Sequence, residues 1–241
     1  MHVSIVIPTF QRILKLTKCL ESIKQQTHKD LSVYIFADNN DMTTAETIAE
    51  EYPEHYITVN STQKYVSGSW NNYFKLAFKT HYYSTPEIMA WIVDDVVLHK
   101  DCLANAVESM IKYYPDTDGI IGLKQECPGR PDYTFKWFGQ MLIGREFIER
   151  YKEVDYQLYC PDYTHFHGTE EIFQYANSLG KFKNCPEAVL DHYHPSFNAD
   201  WKDATHDIVR SQIIQKDKAT WKTRQQKELV WGKTWDLINE K

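Results

Sequence analysis

The sequence contains no apolar run that approaches the roughly 20 residues of a membrane-spanning helix. It is also poor in glycine and proline, with nine of each in 241 residues, which excludes collagen-like and low-complexity chains. Net positive charge is absent as well: the formal charge is -6, so the surface as a whole does not attract polyanions. What remains is the composition of a globular protein that is long enough to bury a sizeable core.

The five cysteines, at positions 19, 102, 127, 160 and 185, are odd in number and show no CxxC pairing. This pattern excludes the usual zinc-binding spacings and favours reduced thiols, which are typical of cytoplasmic proteins. A secretory signal is not expected, because only Met1 and His2 precede the strand-like residues 3–7. We therefore expect a cytoplasmic protein.

Through the first 120 residues, short apolar runs alternate with segments of helical spacing. The runs predict strands at 3–7, 32–37, 56–59, 88–93 and 119–123. Between them, apolar residues recur at helical spacing from Ile13 to Ile23 and from Leu103 to Ile111, and two further helices are expected at 43–51, behind a capping box of Thr43 and Glu46, and at 71–79. This order predicts an α/β fold with a mainly parallel sheet and helices on both faces.

The second half of the sequence has a different character. Residues 133–143 alternate and contain Gly139, which predicts a small antiparallel ribbon, and helices are expected from Glu146 and over 170–179. The last forty or so residues carry four tryptophans among many lysines and arginines. We divide the chain into a domain over 1–195 and a C-terminal helical extension over 196–241, packed on that domain.

Polar side chains follow three of the predicted strands. Thr9 follows the first, Asp38 the second, and the pair Asp94 and Asp95 lies in the apolar run 91–97. Ligands of such sheets bind beyond the carboxyl ends of the strands. Two carboxylates beside an apolar strand cost free energy unless a positive group meets them, and a divalent metal ion carrying a diphosphate would do so.

These residues resemble family 2 glycosyltransferases, which have the GT-A (Rossmann-like) fold. The resemblance covers roughly residues 3–195 and rests on residues 3–12 (VSIVIPTFQR), 19–27 (CLESIKQQT) and 38–41 (DNND), on Asn60, Gly68 and Asn72, and on Asp94 and Asp95. It implies a metal-dependent and inverting enzyme that moves a sugar from a nucleotide-diphosphate donor, most simply a UDP-sugar, to an acceptor hydroxyl. Val93 stands where the family usually carries the first carboxylate of its metal motif.

The resemblance assigns roles to individual positions. Asp95 is the expected ligand of Mn²⁺ or Mg²⁺, together with His192 or His194, two residues that face the same side of an extended segment. The expected donor-binding positions are Pro8, Thr9, Arg12, Asp38, Asp41, Gly68, Asn72 and Asp94. For Asp38 and Gly68 the alternatives are ordinary turn-forming roles.

A general base must accept the proton of the attacking hydroxyl. The family places it in a short acidic motif at the start of a helix, which here is Glu170 and Glu171. Acids at that position also favour the helix dipole, and that reading explains one of the two glutamates. The other is the expected base.

The acceptor has two candidates. One is a glycan or small molecule, and the other is a hydroxymethylated DNA base, as for small phage enzymes in the host cytoplasm. The second idea rests on the locally basic segment after Trp201, which could stack bases on tryptophan, although a helix that packs its tryptophans on the domain explains it as well.

Two other functions compete with glycosyl transfer. A sugar nucleotidyltransferase would carry a glycine-rich loop after the first strand, and residues 8–12 contain no glycine. A non-catalytic nucleotide- or sugar-binding module would bind the donor without turnover.

Overall fold

The computed structural model describes residues 1–130, 133, 136–195, 198–203 and 213–238. The strands are β1 (Val3–Thr9), β2 (Leu31–Ala37), β3 (Tyr56–Val59), β4 (Ile88–Trp91), β5 (Val96–Leu98), β6 (Ile120–Glu126), β7 (Met141–Gly144) and β8 (Phe182–His192). The α-helices are α1 (Ile13–Lys24), α2 (Met42–Glu51), α3 (Tyr65–Phe74), α4 (Cys102–Tyr113), α5 (Arg145–Glu149), α6 (Gly168–Ser178) and α7 (Ile214–Gln226).

The strands form one mixed sheet in the order β3-β2-β1-β4-β7-β6-β8-β5. Strands β1 to β4 run parallel, β7 is antiparallel to both β4 and β6, and β8 is parallel to β6 and antiparallel to β5. The predicted α/β fold with a mainly parallel sheet is therefore confirmed. The carboxyl ends of β1, β2 and β4 meet at one edge, where parallel sheets bind ligands.

The side chains of alternate residues in β1 pack into two separate hydrophobic cores, one on each face of the sheet. Val3, Ile5 and Ile7 pack with α1 and α4 on one face of the sheet, whereas Val6 packs on the other face with the aromatic residues of α3. This period of two is what a strand buried on both faces requires. It confirms the expectation of helices on both faces.

Two local expectations were wrong. The N-cap of α2 is Asp41, whose carboxylate accepts the amide hydrogen of Thr44, so the expected capping box of Thr43 and Glu46 does not start this helix. The expected antiparallel ribbon does not extend over 133–143: in the described part of that stretch, Trp137–Gly139 form a 3₁₀ turn and the strand is β7, which pairs antiparallel with β6, the strand before it in the chain, and with β4. Residues 131, 132, 134 and 135 of that stretch lie outside the described residues.

Within the described residues, none of the helices has the length and apolar character to cross a membrane. All five cysteines are buried and carry free thiols.

Candidate functional site

A cavity of about 680 Å³ opens at the carboxyl edge of the sheet. It is bounded by the ends of β1, β2, β4 and β8, by the start of α3, and by the loop that leads into α6. Of the residues predicted for the site, those that line it are Pro8, Thr9, Arg12, Asp38, Asp94, Asp95, Glu170, His192 and His194. The fold thus gathers most of the predicted residues in one place.

Asp94 and Asp95 lie in the turn between β4 and β5 and are both buried. Asp94 accepts hydrogen bonds from the Thr9 hydroxyl (2.8 Å) and from Nη1 of Arg12 (2.5 Å). Nη2 of Arg12 donates to Oδ2 of Asp95 at 2.7 Å. Burial raises the pKa of Asp94 to about 6, although Arg12 opposes that rise. One guanidinium therefore joins the two carboxylates.

Arg12 is held from its other side by Asp203, which accepts from Nε at 2.9 Å and from Nζ of Lys15 at 2.7 Å. Burial by itself would lower the pKa of Arg12, but the carboxylates of Asp94, Asp95 and Asp203 raise it overall. Arg12 therefore stays charged at the mouth of the carboxylate pair. No sequence signal pointed to Asp203, which lies 191 positions from Arg12.

His192 approaches the carboxylate of Asp95. Its Nε2 lies 3.4 Å from Oδ1 of Asp95, and its Nδ1 lies 2.9 Å from Oε1 of Gln125. The amide of Gln125 is oriented because its Nε2 donates to the carbonyl of Lys136, so Oε1 can only accept. Nδ1 of His192 therefore donates to Gln125, and Nε2 is the ring nitrogen that faces the Asp95 carboxylate.

An imidazole nitrogen and a carboxylate oxygen are both common ligands of divalent metal ions. The arrangement of Gln125, His192 and Asp95 fits a metal ion, since an outer hydrogen bond on the far nitrogen is typical of a metal-binding histidine. His194 also lines the cavity, and its ring centre lies 5.5 Å from that of His192.

Outside the cavity, among the described residues, His99, Glu126 and Asp191 can bring ligand atoms within 4.8 Å of one another. Lys124 already forms an ion pair with Glu126 there, at 2.6 Å. That group does not border the cavity and was not predicted.

Asp38 lines the cavity, but protein donors occupy its carboxylate. The donors are the backbone amides of Lys64 and Tyr65 (2.7–2.8 Å), the Gln63 amide (2.7 Å) and the Asn60 amide (3.2 Å). A carboxylate offers about four lone-pair sites, so these donors fill it. In this structure Asp38 fixes the loop that starts α3, and through it the cavity-lining side chains of Gln63 and Tyr65.

Three predicted donor-binding residues lie away from the cavity lining. Asp41 caps α2 and accepts the amide hydrogen of Gln11 at 2.6 Å. Gly68 lies within α3, where an added Cβ would come 3.0 Å from that of Lys64. Asn72 donates to Asn60, the partner of Asp38. These residues support the loop around the cavity rather than form its surface.

The two candidate bases occupy different environments. Glu170 borders the cavity and contacts His167, with Oε1 of Glu170 3.3 Å from Nδ1 of the ring. Burial would raise the pKa of Glu170, but His167, the backbone amide of Glu170 and Lys136 together outweigh it and lower the pKa below its usual value. Glu171 is fully buried, off the cavity, and bound on both oxygens by Arg224 of α7. The structure brings Glu170, and not Glu171, to the site.

The sequence model described as "Glycosyl transferase family 2" matches residues 4–168, more than half of the chain. The chain belongs to glycosyl transferase family 2. No protein among the curated sequences matches it.

Solved structures share the GT-A fold of this family 2 chain. They include the mannosyltransferase PcManGT from Pyrobaculum calidifontis in complex with GDP-Man and Mn²⁺, with a TM-score of 0.64 and 17% identity over 92% of this chain and 64% of that one. S. aureus TarS in complex with UDP gives a TM-score of 0.61 and 13% identity over 79% of this chain and 60% of that one. The family 2 chain thus spans less than two thirds of either protein, and at these identities the likeness shows the fold.

Sequence reasoning missed several residues of this family 2 site. Gln125, Gln63 and His167 all line the cavity, and each contacts a predicted residue through a polar side-chain atom. A single neutral amide or a histidine in a loop carries no spacing signal. The position of Gln125 at the end of β6, beside β8, is the feature that could have revealed it.

Proposed function

We propose that this chain is a metal-dependent, inverting glycosyltransferase that transfers a sugar from a nucleotide diphosphate to an acceptor hydroxyl. The observation that carries the proposal is the cavity, in which the Asp95–His192 pair and the Glu170 carboxylate border the same space. Family membership supports the reaction class. The structural neighbours are described in complex with GDP-Man and Mn²⁺, with UDP and with UDP-GlcNAc, which supports a nucleotide-sugar donor, and a UDP-sugar is our first choice.

Oδ1 of Asp95 and Nε2 of His192 would hold Mn²⁺ or Mg²⁺, with His194 as a further candidate ligand. When bound, the ion would stabilise the negative charge that develops on the leaving diphosphate. Arg12 contributes a fixed positive charge at the same place, and Thr9 keeps Asp94 oriented. Asp94 is then the residue nearer to the ribose or sugar.

The base of the nucleotide has its place near Pro8, Asp38, Gln63 and Tyr65. Because protein donors already occupy the carboxylate of Asp38, Asp38 contributes to binding of the base by holding Gln63 in place. The Gln63 NH₂ group is turned to Asp38, which leaves its carbonyl oxygen available to accept a hydrogen from a base.

Glu170 is the proposed general base. His167 favours its ionised form, so at neutral pH the carboxylate can accept the proton of the attacking hydroxyl. Direct attack by that hydroxyl on the anomeric carbon inverts its configuration. Glu171 serves as the matched control, because it is the same residue type one position along and is held by Arg224.

The test is a thermal-shift and turnover comparison of wild type, Asp95→Asn, Glu170→Gln and Glu171→Gln with UDP-GlcNAc and GDP-mannose, each with and without Mn²⁺. We expect one donor to raise the Tm only with Mn²⁺, and Asp95→Asn to abolish that rise. Glu170→Gln should keep the rise and lose turnover by at least about 100-fold. Retained turnover in Glu170→Gln would show that it is not the base, and a Tm rise without turnover in wild type would favour a non-catalytic binding module.

For the acceptor, the structure of the C-terminal segment favours a glycan or small molecule over modified DNA. Trp231 is buried, Trp235 packs on it, and Trp221 stacks on the ring of His167. These rings are therefore engaged by the protein. Labelled sugar transfer to saccharides, but not to a hydroxymethylcytosine duplex, is the expected result, and transfer to the duplex alone would reverse this choice.

A further inference from the structure

We propose that α7 belongs to the catalytic site: Asp217 and Trp221 hold the loop 164–167 so that His167 orients the Glu170 carboxylate. Asp217 and Trp221 are positioning residues that act through His167. The inference rests on the proposed function, since it concerns the residue assigned there as the base.

Asp217 fixes the loop from behind. Its carboxylate is fully buried and accepts the backbone amide hydrogens of Thr164 (3.1 Å), His165 (2.7 Å) and Phe166 (2.8 Å). A charged acceptor strengthens each of these bonds, and removing it would leave the amides buried and unsatisfied. His165 and Phe166 line the cavity, so a side chain of α7 determines the shape of that wall.

Trp221 fixes the ring at the end of the loop. It lies one turn beyond Asp217 on α7, and its ring stacks on that of His167 with centres 5.2 Å apart and an interplanar angle of 16°. The backbone of His167 has a φ of 67°, in the left-handed region that residues with a Cβ rarely adopt. Such a conformation persists where surrounding contacts hold it, which Asp217 and Trp221 do here.

His167 in turn contacts Glu170, three residues along and in the first turn of α6. The other groups that face this carboxylate are the Thr169 hydroxyl at 3.3 Å, the Lys136 ammonium, which helps to lower the pKa of Glu170, and the Tyr159 phenol. Among them His167 has the largest effect in the direction of the charged form. Displacing its ring should therefore raise the pKa of Glu170.

The ion pairs of Arg224, which attach α7 to the rest of the protein, are separate from these contacts. Arg224 pairs with Glu171 and Asp162, and neither of these acids borders the cavity. A substitution at Trp221 therefore leaves the ion pairs of Arg224 in place. Lys222, the exposed neighbour of Trp221, provides a control on the same turn of the helix.

The experiment follows the Glu170 carboxyl by NMR in the full chain labelled with ¹³C at the glutamate side-chain carboxyl carbon, with the resonance assigned by its loss in Glu170→Gln. The variants are His167→Ala, Trp221→Leu, Trp221→Phe and the control Lys222→Leu. Mn²⁺-dependent Tm shifts with UDP-GlcNAc and GDP-mannose are measured in parallel.

We expect His167→Ala and Trp221→Leu to raise the Glu170 pKa by about one unit, Trp221→Phe by less than half of that, and Lys222→Leu to leave it unchanged. The donor-dependent Tm shift should survive in all four variants. An unchanged titration in His167→Ala, or the same change in Trp221→Leu and Lys222→Leu, overturns the inference. If Trp221→Leu does not fold, Trp221→Phe and His167→Ala decide.

Failure of the proposed function gives a different result. In that case wild type shows no Mn²⁺-dependent shift with any nucleotide sugar, whereas the titration of Glu170 still reports on His167 and Trp221.

Discussion

Helices α4 and α7 have similar lengths and bury opposite kinds of side chain. The inner face of α4 carries Cys102, Leu103, Ala106, Val107 and Met110. The inner face of α7 carries Asp217, Thr220 and Arg224, which are spaced like an apolar stripe but are polar. A helix can therefore turn charged side chains to the protein interior, provided that every buried charged group finds a partner.

The two interfaces obtain their stability differently. Around α4, it comes from apolar area removed from water, at roughly 25 cal/mol per Å². Around α7, desolvation of Arg224 costs several kcal/mol and is offset only by complete pairing. That pairing is present: Arg224 donates to both oxygens of Glu171 and to Asp162, at 2.7–3.0 Å.

The largest effect is expected from breaking the charged interface. Arg224→Met should lower the free energy of unfolding by about 3–5 kcal/mol, because it leaves Glu171 and Asp162 buried without this cation. Urea unfolding measures this change. Arg224→Lys keeps the charge but not the two-pronged geometry and should lose less. A loss below 1 kcal/mol in Arg224→Met would mean that α7 is held by other contacts.

The matched change in α4 is Leu103→Ala. It should cost about 3 kcal/mol through lost transfer energy and the cavity left behind, since Leu103 is fully buried. Leu103→Met conserves volume and should cost less than about 1.5 kcal/mol. Equal losses in the two variants would contradict a packing-dominated interface.

A smaller change tests how complete the pairing around α7 must be. The Tyr163 hydroxyl donates to Oε1 of Glu171 at 2.6 Å, and this hydrogen bond is buried. Tyr163→Phe removes this one donor and should cost about 2 kcal/mol. The same unfolding assay measures it, and Tyr82→Phe, on an exposed ring, is the control.

The smallest effect is expected for Asp118, a half-buried carboxylate that contacts the partly exposed Arg150 and Lys181. Burial raises the pKa of Asp118, but hydrogen bonds from Arg150 and Lys181 outweigh it and lower the pKa overall. Its contribution is therefore present above the unfolded pKa of about 3.9 and is lost as the pH falls through the folded value. Asp118→Asn should cost about 0.5–1 kcal/mol at pH 7, and the cost should decrease as the pH falls through the folded pKa. A cost independent of pH would exclude the ionic contribution.

The contrast between the two helices also explains what the sequence could reveal. Apolar periodicity predicted α4, and the rule that ligands bind at strand ends predicted that Thr9, Asp94 and Asp95 lie together. The same periodicity could not orient α7, because its buried stripe is polar. Most of the sheet, and the part of the cavity lined by the ends of β1, β2 and β4, were therefore predictable.

The sequence could not predict which of Glu170 and Glu171 faces the cavity. Neighbours on a helix point about 100° apart, so one of two adjacent acids faces the cavity while the other faces the core. Which one does so is decided by Arg224, 53 positions later in the chain. No local pattern contains that information.

The same separation has a consequence for synthesis of the protein. A ribosome adds about 5–20 residues per second, so the 53 positions between Glu171 and Arg224 correspond to roughly 3–10 s of translation. During that interval Glu171 and Asp162 have emerged without the arginine that pairs with them. The wall that carries Glu170 therefore cannot take its final form alongside the sheet as it emerges. It matures only when α7 has left the ribosome, and a nascent chain stalled before α7 would hold a formed sheet edge beside an unfinished wall.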